Sequence, residues 1–428
     1  MFIKTLSSII LTLILCSAAL SEEPGREVMV IKVSGVINPV AAEFIGKSIE
    51  KANGNKVEAL VIELDTPGGL DTSMRTIVKE IIASEVPVIV YVSPSGSRAA
   101  SAGVFIALAA HFSAMAPGTN IGAAHPVGIG GKMDKTMAEK ATNDAAAYIK
   151  ALAEKRGRNT QWAEDAVRKS ISATESEALK EKMVDVVAKD LHSLLSAADG
   201  RTVQTDTGEK VLHTKNVRLI RQEIGVRQKI LNIISDPNVA YILMLLGFYG
   251  LFFELTNPGA LFPGVIGGIC LILAFYAFQT LPVNYAGLLL IILALVLFIL
   301  EIKIVSHGIL SIGGVIAMII GSLMLFESSA PFMKLSLYVI LPAVIATALF
   351  FGLTVGLALK AYRRKPVTGK EGLIGSLGIA ETDITSNGGT ALLLGERWSA
   401  YSEEPVSKGE RIIVESVTGL RVKVKKAR

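Results

Sequence analysis

The sequence predicts three successive architectures: a parallel α/β domain, a block of membrane-spanning helices and a small β-rich domain. Three observations carry this reading. Between residue 27 and about residue 200, near-continuous Val/Ile runs alternate with helical stretches, the pattern of a parallel sheet covered on both faces. Five apolar stretches of 17 to 26 residues fall between Val239 and Leu359, lengths that suit a bilayer crossing. Five short β-type runs separated by Gly, Asn and Ser turns then occupy about the last 60 residues. At 428 residues and 51% hydrophobic, the chain is too long and too apolar for one soluble domain.

Residues 1–21 carry Lys4, an apolar core from Ile9 to Leu15 and the small residues Ser17-Ala18-Ala19, and so read as a secretory signal peptide. Cys16 is preceded by Leu15 where lipoprotein cleavage wants a small residue, which argues against a lipid anchor. Residues 25–216 form the α/β domain. Val28–Val33, Val57–Leu64 and Val86–Val92 are strands, with helices over Ala41–Asn53 and Asp71–Ser84. A small-residue helix opens near Ala100-Ser101-Ala102-Gly103, with His111 ten residues along it. Residues 128–137 (GIGGKMDKTM) are a Gly-rich mobile loop, a helix runs through Lys140 to about Lys155, and residues 201–215 suggest a hairpin around Asp206-Thr207-Gly208. Residues 217–237 read as an amphipathic linker helix, with Ile220, Ile224 and Ile230 set against Arg218, Arg221, Arg227 and Lys229. Such a helix can lie on a membrane surface or simply link two domains.

Residues 238–361 hold about five membrane helices, and residues 366–428 a β-rich module that suggests a small barrel of the OB type. An exported N-terminal domain and five crossings place that barrel in the cytoplasm. Lys360, Arg363, Arg364 and Lys365 sit at the same boundary, as the positive-inside bias requires. The chain thus reads as a multi-pass protein of the plasma membrane with its α/β domain outside. Glu254 and Glu301 fall at span edges and are expected to reach the interface.

Composition excludes several chemistries. The net charge of +5 lies largely beside apolar spans and at the C-terminus, so it marks membrane topology rather than a nucleic-acid footprint. Trp398 and Tyr401 alone cannot supply an aromatic stacking set, so nucleic acid is not expected as a partner. The two cysteines, Cys16 and Cys270, allow neither a disulfide framework nor a cysteine metal site. The five histidines lack the spacing of a zinc protease, and no phosphate-binding GxxxxGK[ST] loop is present. No metal or cofactor is expected.

Chemistry concentrates between Ser93 and Val127. The Val86–Val92 strand ends in Ser-Pro-Ser-Gly and turns into the small-residue helix at Ser101. Helix-opening amides and the helix dipole favour negative charge at such a corner, so Ser101 can act as a nucleophile. The same Ala/Gly/Ser pattern would equally make a plain helix-packing seam. Asp65-Thr66-Pro67-Gly68-Gly69 closes a neighbouring strand, and both stretches fall at the carboxyl ends of parallel strands, where reactive groups gather. Gly68 and Gly69 could aim N–H groups at an oxyanion. Two residues could take the serine proton. Lys140, among small and mostly apolar neighbours at the opening of a helix, would serve if desolvation kept it neutral. His125, in Gly122-Ala123-Ala124-His125-Pro126-Val127, is the other. Asp144, four residues after Lys140, could pair with it or face solvent, and His111 reads as structural.

LDTPGG, SRAASAG and MAPGTNIGAAHPV, followed by KATNDAAAYI, resemble the NfeD family of membrane-bound serine proteases, relatives of ClpP and signal peptide peptidase A. The resemblance extends over leader, protease domain, membrane region and barrel. It implies a ClpP/crotonase-like sheet, a Ser–Lys dyad of Ser101 and Lys140, and oxyanion donation from Gly68 and Gly69, with His125 as the alternative base. It also implies ATP-independent cleavage of apolar stretches of a stomatin-like partner, and assembly into homo-oligomers. The contrasting reading is a non-catalytic membrane scaffold that organises stomatin-like proteins through its barrel.

Overall fold

In a computed structural model of the chain, the structure describes residues 26–128, 133–257, 259, 261–304, 306, 308–328, 333–362 and 370–427. The leader, residues 129–132 of the Gly-rich loop, and Arg363, Arg364 and Lys365 lie outside the described residues.

The N-terminal strands are β1 (Glu27–Ser34), β2 (Ala59–Asp65), β3 (Val88–Val92), β4 (Arg98–Ala100), β5 (Phe112–Met115), β6 (Asn120–Gly122), β7 (Ser172–Thr174), β8 (Val186–Val187), β9 (Thr202–Thr205), β10 (Gly208–Val211) and β11 (Arg218–Gln222). Among them lie helices α1 (Pro39–Asn55), α2 (Asp71–Ile82), α3 (Ala102–Ala109), α4 (Lys135–Lys155), α5 (Thr160–Arg168), α6 (Glu175–Lys180) and α7 (Leu191–Ala198), and α8 (Val226–Ile234) follows β11. The main sheet is wholly parallel, in the order β11-β1-β2-β3-β5-β8. Alternation along each strand divides its residues between two cores. Met29, Ile31, Leu60, Ile62, Val88 and Val90 join one, with Ile45, Ile77 and Val104 from α1, α2 and α3. Val28, Val30, Val61, Ile89 and Tyr91 join the other, with Leu194 and Leu195 of α7. Burial on both faces is why these strands read as continuous apolar runs.

Three local expectations change. The chain between β3 and Ser101 is not one turn, because Arg98–Ala100 forms a short strand parallel to β6, which pairs antiparallel with β7. Helix α3 ends at Ala109, so His111 lies beyond it, just before β5. Residues 217–237 are not one amphipathic helix: Arg218–Gln222 is a strand that pairs with β1, and only Val226–Ile234 is helical. An otherwise unpaired sheet edge supplies the reason, since its backbone groups need partners that a helix cannot offer. The β9–β10 hairpin forms as expected.

Five apolar helices follow: α9 (Pro237–Thr256), α10 (Leu261–Phe278), α11 (Tyr285–Lys303), α12 (Ile309–Leu325) and α13 (Leu337–Tyr362). Four are long and apolar enough to cross a membrane, whereas α12, at 17 residues, is shorter. Helices α9 and α10 touch through glycine, where a Cβ on Gly250 would meet the Pro263 carbonyl oxygen at 2.5 Å. Glu301, near the end of α11, is buried within the fold. It is 4% exposed, and its carboxylate accepts hydrogen bonds from Ser306 Oγ and the Gly308 and Ser311 amides, capping the start of α12. Glu254 is half-buried in α9.

After a short helix α14 (Lys370–Leu373), strands β12 (Leu377–Ala380), β13 (Gly389–Leu393), β14 (Glu396–Tyr401), β15 (Arg411–Thr418) and β16 (Arg421–Lys426) close a barrel in the order β12-β13-β14-β16-β15. Ala391, Leu393, Ile412, Val414, Val422 and Val424 fill it, and Trp398 packs against that core. The described chain falls into two compact units, one reaching to Leu295 and including Gly314–Ile345, the other comprising Val296–Gly313 and the chain from Ala346 onward.

Candidate active site

Ser101 sits between β4 and α3 with φ +52° and ψ −114°, outside the regions that a residue with a Cβ ordinarily occupies. Such a corner persists only where its surroundings over-determine it. Here the Ser101 amide donates to Gly122 O at 3.1 Å, its carbonyl accepts from Val104 N at 3.0 Å, and the Ala100 amide donates to Thr66 O at 3.1 Å. β4 and β6 thus hold the serine from one side and the β2 end from the other. The half-buried Ser101 hydroxyl makes no capping hydrogen bond to the helix that it precedes.

Gly68 closes over this residue. Its φ is +123°, and a Cβ there would lie 2.7 Å from Ser101 Cβ and 3.2 Å from Ser101 Oγ. Thr66 braces the turn, as its hydroxyl donates to Gly68 O and accepts from the Gly68 amide, both at 3.0 Å. Gly68 O also accepts from Ile37 N at 2.9 Å, and Leu70 N donates to Ile37 O at 2.8 Å. In this parallel pairing the amide of Gly69 points away from Ile37. Gly69 must lack a side chain, because a Cβ would fall 2.1 Å from Ile37 O. The two glycines therefore differ: the Gly68 N–H is held by Thr66, and the Gly69 N–H lies outside that ladder.

Lys140 is on the second turn of α4, whose start is capped by Asp134 accepting from Met137 N at 2.9 Å. The lysine is exposed, above the buried Ala145 and Ala146 of the same helix. Asp144 pairs not with Lys140 but with Arg75 of α2, which also holds Asp71 at 2.9 Å. The Arg75 guanidinium lies 4.4 Å from the Tyr148 ring centroid, and Tyr148 stacks on Phe105 of α3 at 6.0 Å. Phe105 is one turn beyond Ser101, so this sandwich ties the helix carrying Lys140 to the helix opening at the serine. The sequence reading did not single out Thr66, Arg75 or Tyr148. Only the placement of Thr66 between the β2 run and the glycine pair offered a signal.

His125 follows Gly122 and Ala123, both at positive φ, and is exposed, with Nδ1 2.9 Å from Val167 O. A carbonyl partner makes Nδ1 the protonated nitrogen and leaves Nε2 as an acceptor. His111 is buried, its Nδ1 accepts from the Val88 amide at 3.1 Å, and burial with the neighbouring Arg156 pushes its pKa down to about 3. It is a neutral structural residue. Among the described residues, no three His, Cys, Asp or Glu side chains gather where they could hold a metal ion.

Three family models match the chain in order: the NfeD1b N-terminal domain over residues 27–217, the NfeD integral membrane domain over 238–356, and the NfeD-like C-terminal, partner-binding domain over 370–426. The membrane-bound protease PH1510 of Pyrococcus horikoshii is 35% identical over 439 residues, covering 99% of this chain and 98% of the relative. The membrane protein NfeD1b of Bacillus subtilis is 29% identical, covering 94% and 93%. Among solved structures, a lysine-to-alanine variant of the 1510-N membrane-bound stomatin-specific protease, in complex with a substrate peptide, is 37% identical. It covers 50% of this chain and 99% of its own, with a TM-score of 0.47. ClpP1 from Listeria monocytogenes, at 21% identity, covers 38% and 91% with a TM-score of 0.32. With end-to-end likeness to one relative and the three domain models in the expected order, this chain belongs to the NfeD family of membrane proteins.

Proposed function

We propose that this protein is a membrane-anchored, ATP-independent serine endopeptidase in which Ser101 is the nucleophile and Lys140 the general base. The observation that carries this reading is the Ser101 corner. An uncapped hydroxyl sits at a positive-φ junction, pinned on both sides and pressed against a glycine that admits no side chain. Such over-determined strain is characteristic of reactive groups.

In the proposed reaction Ser101 Oγ attacks the peptide carbonyl carbon while its proton passes to neutral Lys140 Nζ. The tetrahedral intermediate expels the amine, which takes that proton, and water then hydrolyses the acyl-enzyme. The oxyanion donors are the Gly69 amide and the Ala102 amide at the open end of α3. Gly68, read from the sequence as an oxyanion donor together with Gly69, acts here through its contact with Ser101, because its N–H is held by Thr66. Lys140 is exposed, and bound substrate desolvates it, which favours the neutral amine. His125, with Nε2 available, is the alternative base.

The substrate class is an apolar segment of a membrane-associated protein. A stomatin-like partner is the first choice, because the 1510-N relative is specific for a stomatin homologue, and the C-terminal barrel matches a partner-binding domain. The protease domain is outside and the barrel in the cytoplasm, and the protein forms a homo-oligomer. Ser101→Ala tests the reading: it should abolish cleavage of an apolar peptide and labelling by a fluorophosphonate while leaving the thermal melt unchanged. Undiminished turnover would leave the scaffold role in its place.

A further inference from the structure

We infer that a cavity of about 230 Å³ beside the catalytic turn binds the segment of a membrane-anchored substrate at the point where it leaves the bilayer. This inference rests on the protease reading and adds where the substrate comes from. One wall of the cavity comes from the α/β domain, through Val36 and Leu70. These two residues flank the Ile37–Gly69 pairing, whose glycine neighbour packs on Ser101. A side chain lodged there therefore sits against the turn that borders the nucleophile.

The other wall belongs to the membrane region. It includes Pro237, the first residue of α9, and Thr280 and Leu281, just beyond the end of α10. The start of one bilayer-length helix and the end of the next thus lie at one level, which places the lipid surface at this cavity. Helix α8 marks the same level. Val226, Ile230 and Ile233 are 76%, 51% and 60% exposed, spaced four and three residues apart on one stripe that ends four residues before α9 begins. An apolar stripe exposed so close to a spanning helix suits burial among lipid headgroups. Asn232, on that helix, also lines the cavity and accepts a hydrogen bond from Asn38 Nδ2 at 2.8 Å, tying α8 to the α/β wall.

The lining mixes apolar side chains (Val36, Leu70, Leu281) with polar ones (Asn232, Thr280), the composition that suits a juxtamembrane segment, half apolar and half wet. A soluble peptide needs only the Ser101 end. A substrate whose apolar helix remains in the bilayer presents its emerging residues at the cavity and is held there at high effective concentration.

The test uses the full chain in lipid nanodiscs and one cleavable peptide, made with and without an appended apolar helix of about 20 residues. The wild-type chain should cleave the anchored form with the higher kcat/KM. Leu281→Trp, which fills the membrane-side wall, should lower kcat/KM for the anchored peptide roughly tenfold, leaving the free peptide and fluorophosphonate labelling of Ser101 unchanged. Where that variant fails to fold, Leu281→Ser carries the same comparison and the same expected selective loss. Equal cleavage of both peptides by the wild-type chain, or equal effects of the variant on both, overturns the cavity assignment and leaves the protease standing. A wild-type chain that cleaves neither peptide and does not label overturns the protease reading instead.

Discussion

Gly68→Ala is the sharpest probe of the proposed active site, because the structure sets its cost on two separate grounds. The first is backbone. Gly68 has φ +123°, and holding a residue with a Cβ in such a region costs about 1–3 kcal/mol. The second is contact. The new methyl would lie 2.7 Å from Ser101 Cβ, closer than real Cβ atoms approach a neighbour, and 3.2 Å from Ser101 Oγ. Neither side can yield freely, since Ser101 is tied to Gly122 and Val104, and Gly68 to Ile37 and Thr66. The overlap must therefore displace the hydroxyl or the turn, and a misplacement approaching 1 Å at a reacting atom costs roughly 10²-fold in rate. The assay is the second-order rate of fluorophosphonate labelling, followed by mass-spectrometric mapping to Ser101, with thermal unfolding alongside. Gly118→Ala is the control. Gly118 also has positive φ, +75°, but a Cβ there meets nothing within 4 Å. It should lose about 1 kcal/mol of stability and keep its labelling rate. If Gly68→Ala labels as fast as wild type, the assignment of this corner as the reactive site is wrong.

Lys140→Ala should be inactive while His125→Ala retains much of its peptide turnover; the opposite pattern moves the base to His125, whose Nε2 is available. Arg75→Ala should cost about 1 kcal/mol in the melt and lower kcat, because the Asp144 ion pair and the Tyr148 contact that hold α4 to α2 are lost, together with the Asp71 pair within α2. Arg75→Lys should restore little, since an ammonium does not stack as the planar guanidinium does, and full recovery would argue that charge alone matters. His111 is held neutral, with its pKa moved from 6.5 to about 3. Its contribution is therefore present above about pH 6.5 and is lost, at up to ~1.4 kcal/mol per pH unit, as pH falls towards 3. His111→Asn, whose side-chain oxygen can still accept from Val88 N, should flatten this dependence in pH-resolved thermal melts; an unchanged slope assigns the acid sensitivity to other groups.

Much of the architecture was legible in the residues because its signals are local. The strands at Val28–Val33, Val57–Leu64 and Val86–Val92 announce burial on both faces by their unbroken β-branched runs, and each forms within a few residues of its expected bounds. The barrel strands were legible through their turns, with Arg397–Tyr401 and Arg411–Val417 extended by no more than one residue. Strands β4, β6 and β7, at three residues each, were not, because so short a run has no periodicity and exists only by pairing with its neighbours. β11 misled for a related reason. Ile220 and Ile224 fit a helical face, and the open edge of β1 decided otherwise.

For the site, the residues alone determined which hydroxyl sits at the end of a buried strand with glycines and alanines about it. That depends on turn chemistry and strand ends, both written within a few positions. Tertiary structure decided everything that joins distant segments. It set Gly68 against Ser101 across 33 positions of sequence, gave Asp144 to Arg75 rather than to Lys140, and brought the start of α9 and the residues just after α10 to one cavity with Leu70, beside the Gly68–Gly69 turn. Such pairings are chosen by which surfaces the folded sheet and helices bring within van der Waals and hydrogen-bonding reach, and no local pattern encodes that choice.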